Sequence, residues 1–257
     1  MTHENKCILK HYCKHAGNKE KCNNLCPAYI AVHGLSGQSG RIGGARVPAD
    51  YRLVTLKNSP VRESQPKIYN ALDAYVETFE RQFEEITDPK MRIKSLYLFS
   101  ETTGTGKTTT ASALLNEWII RHFLGSIKRK LQPLQMPGYF LDVNEWQTLY
   151  NQFNRDGIAP ETKEAASREY YRRMEYAMKA PYAVLDDIGV RTATEGFRGD
   201  LHSIINHRTT NHLPTVYTSN IPMADLATVF DERLYDRVRD LCMEMYFTGE
   251  SKRGKRK

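Results

Sequence analysis

An α/β fold built on a parallel sheet is what the 257-residue sequence predicts, and three observations carry that expectation. Short apolar runs of strand length alternate with longer stretches of helical period. One run, residues 95–100, leads into a glycine-containing turn that opens a helix, and another, residues 182–185, ends in two adjacent aspartates. Hydrophobic residues make up 40% of the chain and charged residues 26%, which suits one full-sized core with a small appended module rather than two large domains. A spanning helix needs ~20 predominantly apolar residues. The most apolar stretch, 113–124, is broken by Asn116, Glu117, Arg121 and His122, and the polar, charged start at residues 1–10 predicts no secretory leader. The expectation is a cytoplasmic protein with no membrane partner.

Taken in order, residues 1–48 hold four of the five cysteines and no sustained helical or strand period, so they read as a small chelated module. Residues 35–48 are rich in Gly and Ser and read as loop or linker, which places a domain boundary near residue 48 and a second domain over 49–257. Between 68 and 86, Ile68, Leu72, Tyr75, Phe79 and Phe83 recur every three or four positions, the pattern of a helix packed on a core. Residues 95–100 are too short and too apolar for a helix and predict a buried strand. Helical period returns over 108–122. A second strand is expected at 139–143, followed by an aromatic helix through Trp146, Leu149, Tyr150 and Phe153. A further helix is expected at 164–178, strands at 182–185, 215–218 and 243–247, and a charged helix around Arg233, Arg237 and Arg239. Strands alternating with helices imply a parallel sheet covered on both faces, a three-layer αβα sandwich.

The net charge of +7 is uneven: the first fifty residues carry +4 and the last six carry +5, leaving −2 between them. Basic ends of this kind attract polyanions through counterion release. A basic tail that only solvates the terminus is the plainer reading.

Glu101-Thr-Thr-Gly104-Thr105-Gly106-Lys107-Thr108 joins a strand to a helix and has the spacing of a phosphate-binding loop. Gly104 and Gly106 let backbone N–H groups, with those of Thr105 and Thr109, converge on phosphate oxygens at a helix start. Lys107 is positioned for the β and γ phosphates, and the Thr108 hydroxyl for Mg²⁺. Glu101 stands where such loops have their first glycine, placing an acid beside the phosphates and removing the residue most tolerant of positive φ. About 80 residues on, Asp186 and Asp187 end a hydrophobic strand, where α/β sheets bind ligands. Asp186 is expected to hold Mg²⁺ and Asp187 to orient or deprotonate the attacking water. Asn220, ending another strand in Thr218-Ser-Asn, can bond the γ phosphate or that water.

In this order the motifs resemble the AAA+ ATPases, and within them the DnaC/DnaI-type replicative helicase loaders, with the IstB transposition helper as a relative. The resemblance covers residues 51–253 and rests on Gly104-Thr-Gly-Lys-Thr108, Leu185-Asp-Asp-Ile-Gly189, Ile204-Ile-Asn-His-Arg208, Thr218-Ser-Asn220, Glu232-Arg-Leu-Tyr-Asp-Arg237 and Gly249-Glu-Ser-Lys-Arg253. It implies a P-loop NTPase sheet without a full C-terminal lid and an ATPase with ATP and Mg²⁺ as ligands. It also implies a hexameric replicative helicase and single-stranded DNA as partners, and self-assembly on that helicase. Arg237 matches the family's arginine finger, with Arg233 one turn away as second choice, and Arg253 matches the sensor-2 arginine, although Lys252 replaces an aromatic often found before it. The resemblance also implies that single strands bind near Trp146, Tyr150, Phe153, Tyr170 and Tyr171, which lie among Arg155, Arg168, Arg172 and Arg173. Aromatics at such helical spacing are more often core.

Cys7, Cys13, Cys22 and Cys26 stand among too few apolar side chains to fold unaided, and read as a structural Zn²⁺ site whose metal supplies folding energy. His11, His15 and His33 are substitute ligands, and an iron–sulfur cluster or free thiols are the alternatives. Some DnaI-type loaders have a similar amino-terminal zinc module that contacts the helicase, which implies that role for residues 1–48. Competing functions are an IstB-like transposition helper, a small-molecule phosphotransferase on the same loop, and a non-hydrolysing DNA-binding module with a degenerate loop.

Overall fold

The computed structural model describes residues 2–189 and 193–251. In chain order its regular elements are α1 (Pro27–His33), α2 (Gly40–Gly44), α3 (Pro66–Glu77), β1 (Ser95–Phe99), α4 (Lys107–Lys128), β2 (Gly138–Asp142) and α5 (Val143–Asn154). They continue with α6 (Pro160–Lys179), β3 (Tyr182–Asp186), α7 (Glu195–Thr210), β4 (Thr215–Ser219), α8 (Leu226–Val229), α9 (Glu232–Leu241) and β5 (Cys242–Tyr246). The five strands form one sheet in the order β2-β3-β4-β1-β5. The β3–β4, β4–β1 and β1–β5 pairs are parallel. The predicted α/β fold with a parallel sheet is therefore what forms. β1, β3 and β4 are buried along their whole length, which is why they read as continuous apolar runs, whereas the edge strand β5 is mostly exposed.

Two sequence expectations change. The helix expected at 68–86 stops at Glu77 and tightens into a 3₁₀ stretch, Thr78–Phe83, where the Thr78 hydroxyl donates to the Tyr75 carbonyl and competes with the helical ladder. The segment read as linker contains α2, with Arg41 and Ile42 buried in it.

The chain divides into two compact units, Met1–Arg92 with Ser112–Tyr139, and Ile93–Ala111 with Phe140–Lys257. In the first, the predicted face Tyr69, Leu72, Tyr75, Val76 and Phe79 is buried, and Phe79 meets Trp118 edge-on at 5.1 Å. Polar side chains of α4 satisfy irregular backbone. Asn116 donates to the Tyr51 and Val54 carbonyls, and the Glu117 carboxylate accepts from the Leu56 N–H. Buried Arg41 donates to the Ala31, Pro133 and Leu134 carbonyls, with its guanidinium 5.1 Å from the Phe123 ring centre. Two helix-ending or mid-helix histidines serve the same purpose. His33 Nε2 accepts from the Ile8 N–H, and His122 Nε2 accepts from the Leu134 N–H while Nδ1 faces the Gln82 side-chain oxygen Oε1 at 2.7 Å.

In the second unit α5, α6 and α7 share an aromatic core. Trp146 and Tyr170 are fully buried and stacked 4.5 Å apart, and Trp146 Nε1 donates to the Tyr170 carbonyl. Tyr150 and Phe153 pack against the same ring. Arg208, fully buried, donates to the carbonyls of Ala177, Met178 and Ala180 at the end of α6, to the Pro214 carbonyl before β4 and to the Thr215 hydroxyl at its start. A cation there meets the negative end of a helix dipole and the last carbonyls at once. That gives Arg208 of the family-like run a packing role.

Both buried imidazoles are held well below the ordinary value of 6.5, at about 4, by burial first and then by the cations Arg52 for His33 and Arg41 for His122. A neutral histidine contributes its full stabilisation above pH 6.5 and loses it as the pH falls through 4. Melting temperature, followed by near-ultraviolet circular dichroism, is expected to fall between pH 6.5 and 4, and His122→Gln to flatten that slope.

Candidate functional site

Because β3, β4 and β1 run parallel, the loops after them leave one edge of the sheet, and β4 lies between the other two. The three sequence motifs follow these strands. The loop after β1 needs left-handed backbone at Gly104 (φ 78°) and Gly106 (φ 103°), and α4 begins at once, its first bond running from the Thr110 N–H to the Gly106 carbonyl. The N–H groups of such a first turn point at whatever anion sits before it. Thr105 and Thr109 have buried side chains. Glu101 is exposed and lies outside the left-handed region, so an acid fits the position without backbone strain.

Lys107 is buried, and its ammonium donates to the Asn220 side-chain oxygen at 2.5 Å and to the Ser100 and Thr102 carbonyls at 3.3 and 3.4 Å. These three acceptors are neutral groups. On the other side of β4, the Thr108 hydroxyl donates to Asp186 Oδ2 (3.1 Å), and Thr218 Oγ1 donates to Asp186 Oδ1 (2.7 Å). Asp186 is 5% exposed. Burial raises its carboxyl to about 7, with Asp187 adding to the rise and the two hydroxyls opposing it. The Thr108 and Asp186 oxygens make a hard, oxygen-only pair that fits Mg²⁺.

Asp187 has φ 61°, an uncommon conformation for a residue with a side chain, costing about 1–3 kcal/mol. Its N–H donates to Thr218 Oγ1 at 2.9 Å, and its carboxylate accepts from Asn144 Nδ2 at 3.3 Å. Asn144 follows the Asp142 N-cap in α5 and borders, with Asp187, a cleft of about 260 Å³. Lys107, Thr108, Asp186, Asp187 and Asn220 are therefore brought together. The contributions of Thr218 and Asn144 did not show in the sequence reading. The one signal for Asn144 was its place just past a strand's carboxyl end.

Arg237 lies away from this cluster of bonds. It is exposed on α9, which buries Leu234 and Val238 and leaves Arg233 and Arg237 outward, and its guanidinium donates to Asn206. Arg253 and Lys252 lie outside the described residues. The aromatic surface expected to stack bases is corrected by the α5–α6–α7 core: Trp146 and Tyr170 are buried, Tyr150 and Phe153 half-buried, and Tyr171 exposed. Arg168, Arg172 and Arg173 pair with Glu164, Glu169 and Glu145. Helical spacing here served packing.

Cys7, Cys13, Cys22 and Cys26 line one cavity of about 750 Å³ with His3 and His15. The donors suit zinc. Among the described residues no three His, Cys, Asp or Glu side chains converge as a metal site, and the cavity is much larger than one ion. Burial raises the Cys7 thiol to about 11, and the other three cysteines add to the rise. Among the described residues no helix is long and apolar enough to cross a membrane.

Among solved structures, DnaI aligns with a TM-score of 0.52 at 22% identity, over 80% of this chain and 94% of its own. The DnaC helicase loader aligns with a TM-score of 0.53 at 19% identity, over 78% of this chain and all of its own. The chain therefore shares the fold of these two proteins. AMPPCP-bound DnaA from Aquifex aeolicus aligns with a TM-score of 0.49 at 15% identity, over 76% of this chain and 50% of its own. No protein-family model matches the chain, and no curated protein does.

The raised Asp186 carboxyl has a measurable consequence. In the ligand-free fold its proton stabilises: that contribution is present below the unfolded value of 3.8 and is lost as the pH rises through about 7. A cation seated on Thr108 and Asp186 would favour the carboxylate instead, so Mg·ATP binding near pH 7 is expected to be accompanied by proton release. Calorimetry in buffers of different ionisation heats checks it. The release should vanish without Mg²⁺ and in Asp186→Asn.

Proposed function

We propose that this chain is an ATP-dependent helicase loader. It binds ATP with Mg²⁺, assembles with further copies of itself on a hexameric replicative helicase, and helps place that helicase on single-stranded DNA. The observation that carries the reading is the meeting of Lys107, Asn220, Thr108, Asp186 and Asp187 at one sheet edge, and the likeness to the DnaC helicase loader supports it.

Gly104, Gly106 and the first turn of α4 receive the phosphates. Lys107 exchanges its bonds to Asn220 and two loop carbonyls for β and γ oxygens. Thr108 and Asp186 hold Mg²⁺, which when bound neutralises charge on the phosphates. Asp187 takes the proton of the attacking water, and Asn220, released by Lys107, bonds the γ phosphate or that water. Arg237, exposed and steadied by Asn206, serves a neighbouring subunit's nucleotide, and a guanidinium suits the spread charge of a transferring phosphoryl group. Arg253 has the sensor-2 role. Turnover is slow and ATP acts as a switch: its γ phosphate favours the assembled state, and hydrolysis removes that preference.

Residues 1–48 form the helicase-facing module and 49–257 the ATPase. Cys7, Cys13, Cys22 and Cys26 close their cavity on one Zn²⁺, and the basic ends of the chain favour DNA. In this reading the protein is cytoplasmic.

Lys107→Ala is expected to lose ATP binding, and Asp187→Asn to bind ATP without turnover. Weighing mixtures with a hexameric helicase by mass photometry should show a complex strengthened by ATP in the wild type but not in Lys107→Ala. No binding heat with ATP, alone or beside a helicase ring, would sink the reading. For the cysteines, elemental analysis of purified protein should find one zinc per chain, lost in Cys13→Ser. Metal-free protein with four freely titrating thiols would refute that assignment.

A further inference from the structure

Side chains of consecutive strand residues point to opposite faces, so two adjacent acids at the end of a regular strand cannot serve one phosphate site. Here the strand stops being regular between them. Asp186 keeps its place at the end of β3, and Asp187 turns into the left-handed region at φ 61°. One side chain touches both sides of that break. Thr218 Oγ1 lies 2.7 Å from Asp186 Oδ1 and 2.9 Å from the Asp187 nitrogen. Because the N–H can only donate, the hydroxyl accepts from Asp187 and gives its one hydrogen to Asp186. Thr218 is fully buried, in a strand hydrogen-bonded to both β3 and β1. Its main chain and its neighbour continue the clamp, the Ile188 N–H donating to the Thr218 carbonyl and the Ser219 hydroxyl to the Ile188 carbonyl.

We infer that Thr218 is a positioning residue for ATP hydrolysis, its single hydroxyl aiming Asp186 at the metal and holding the backbone turn that brings Asp187 to the same site. This rests on the ATPase reading above. The branched Thr side chain has few χ1 choices, so the hydroxyl is held in direction as well as place. It also ties the acids to the strand that ends in Asn220, whose oxygen meets Lys107. A residue that only filled space would be served as well by valine.

Thr218→Val keeps the shape and removes the hydroxyl, and Thr218→Ser keeps the hydroxyl. Thr218→Val is expected to bind ATP within about threefold of wild type without Mg²⁺, to need more Mg²⁺ for half-maximal activity, and to lose about 100-fold in kcat, the scale of a misplaced reacting group. Thr218→Ser should regain most of that rate. If Thr218→Val does not fold, Thr218→Ala takes its place against Thr218→Ser. Wild-type kcat and Mg²⁺ dependence in the hydroxyl-free variant, or a serine variant as slow as valine, overturns the inference. A wild-type chain that binds no ATP overturns instead the reading on which it rests, and this inference with it.

Discussion

The site is organised around the burial of one carboxylate. Asp186 sits at the end of a strand with apolar neighbours, out of reach of bulk water, and its oxygens have hydroxyls for company: Thr108 from the first turn of α4 and Thr218 from the adjacent strand. Hydroxyls orient a carboxylate without neutralising it. Burial raises its proton affinity toward neutrality against the opposing pull of the two hydroxyls, and the pocket favours a cation in the same place. Much of the local geometry follows, since each group that touches Asp186 belongs to one of the motif-bearing segments.

Strand order makes this possible. With β4 between β1 and β3, the residues ending β4 stand between the ammonium of Lys107 and the pair of acids. Asn220 meets the first and Thr218 the second. A sheet with β1 and β3 adjacent would put the ammonium beside the acids, where a direct ion pair would compete with a phosphate for both. The interposed strand supplies a neutral partner to each charge.

Elsewhere the polar residues of the fold mostly satisfy backbone. Arg208 collects the carbonyls at the end of α6, Arg41 collects those of Ala31, Pro133 and Leu134, and His33 and His122 each accept a main-chain N–H. These are charged or titratable side chains that look functional in a string of letters and are explained by packing. The aromatic run from Trp146 to Tyr171 belongs with them, because α5, α6 and α7 needed a core and their helical spacing supplied one.

By itself the sequence determined the α/β class, the strands at 95–100, 182–185 and 215–218, the glycine-containing turn that opens α4, and the acid pair at a strand end. Those depend on local patterns: apolar runs of strand length, glycines at positive φ, acids at a strand end. It could not determine which strand lies between which, that Asp187 leaves the strand conformation, or that a threonine 31 residues beyond it holds the turn. Nor could it separate aromatics that stack on one another from aromatics left outside. Each of these is set by contacts between segments far apart in the chain, and no local period records them, so only the tertiary structure decided them.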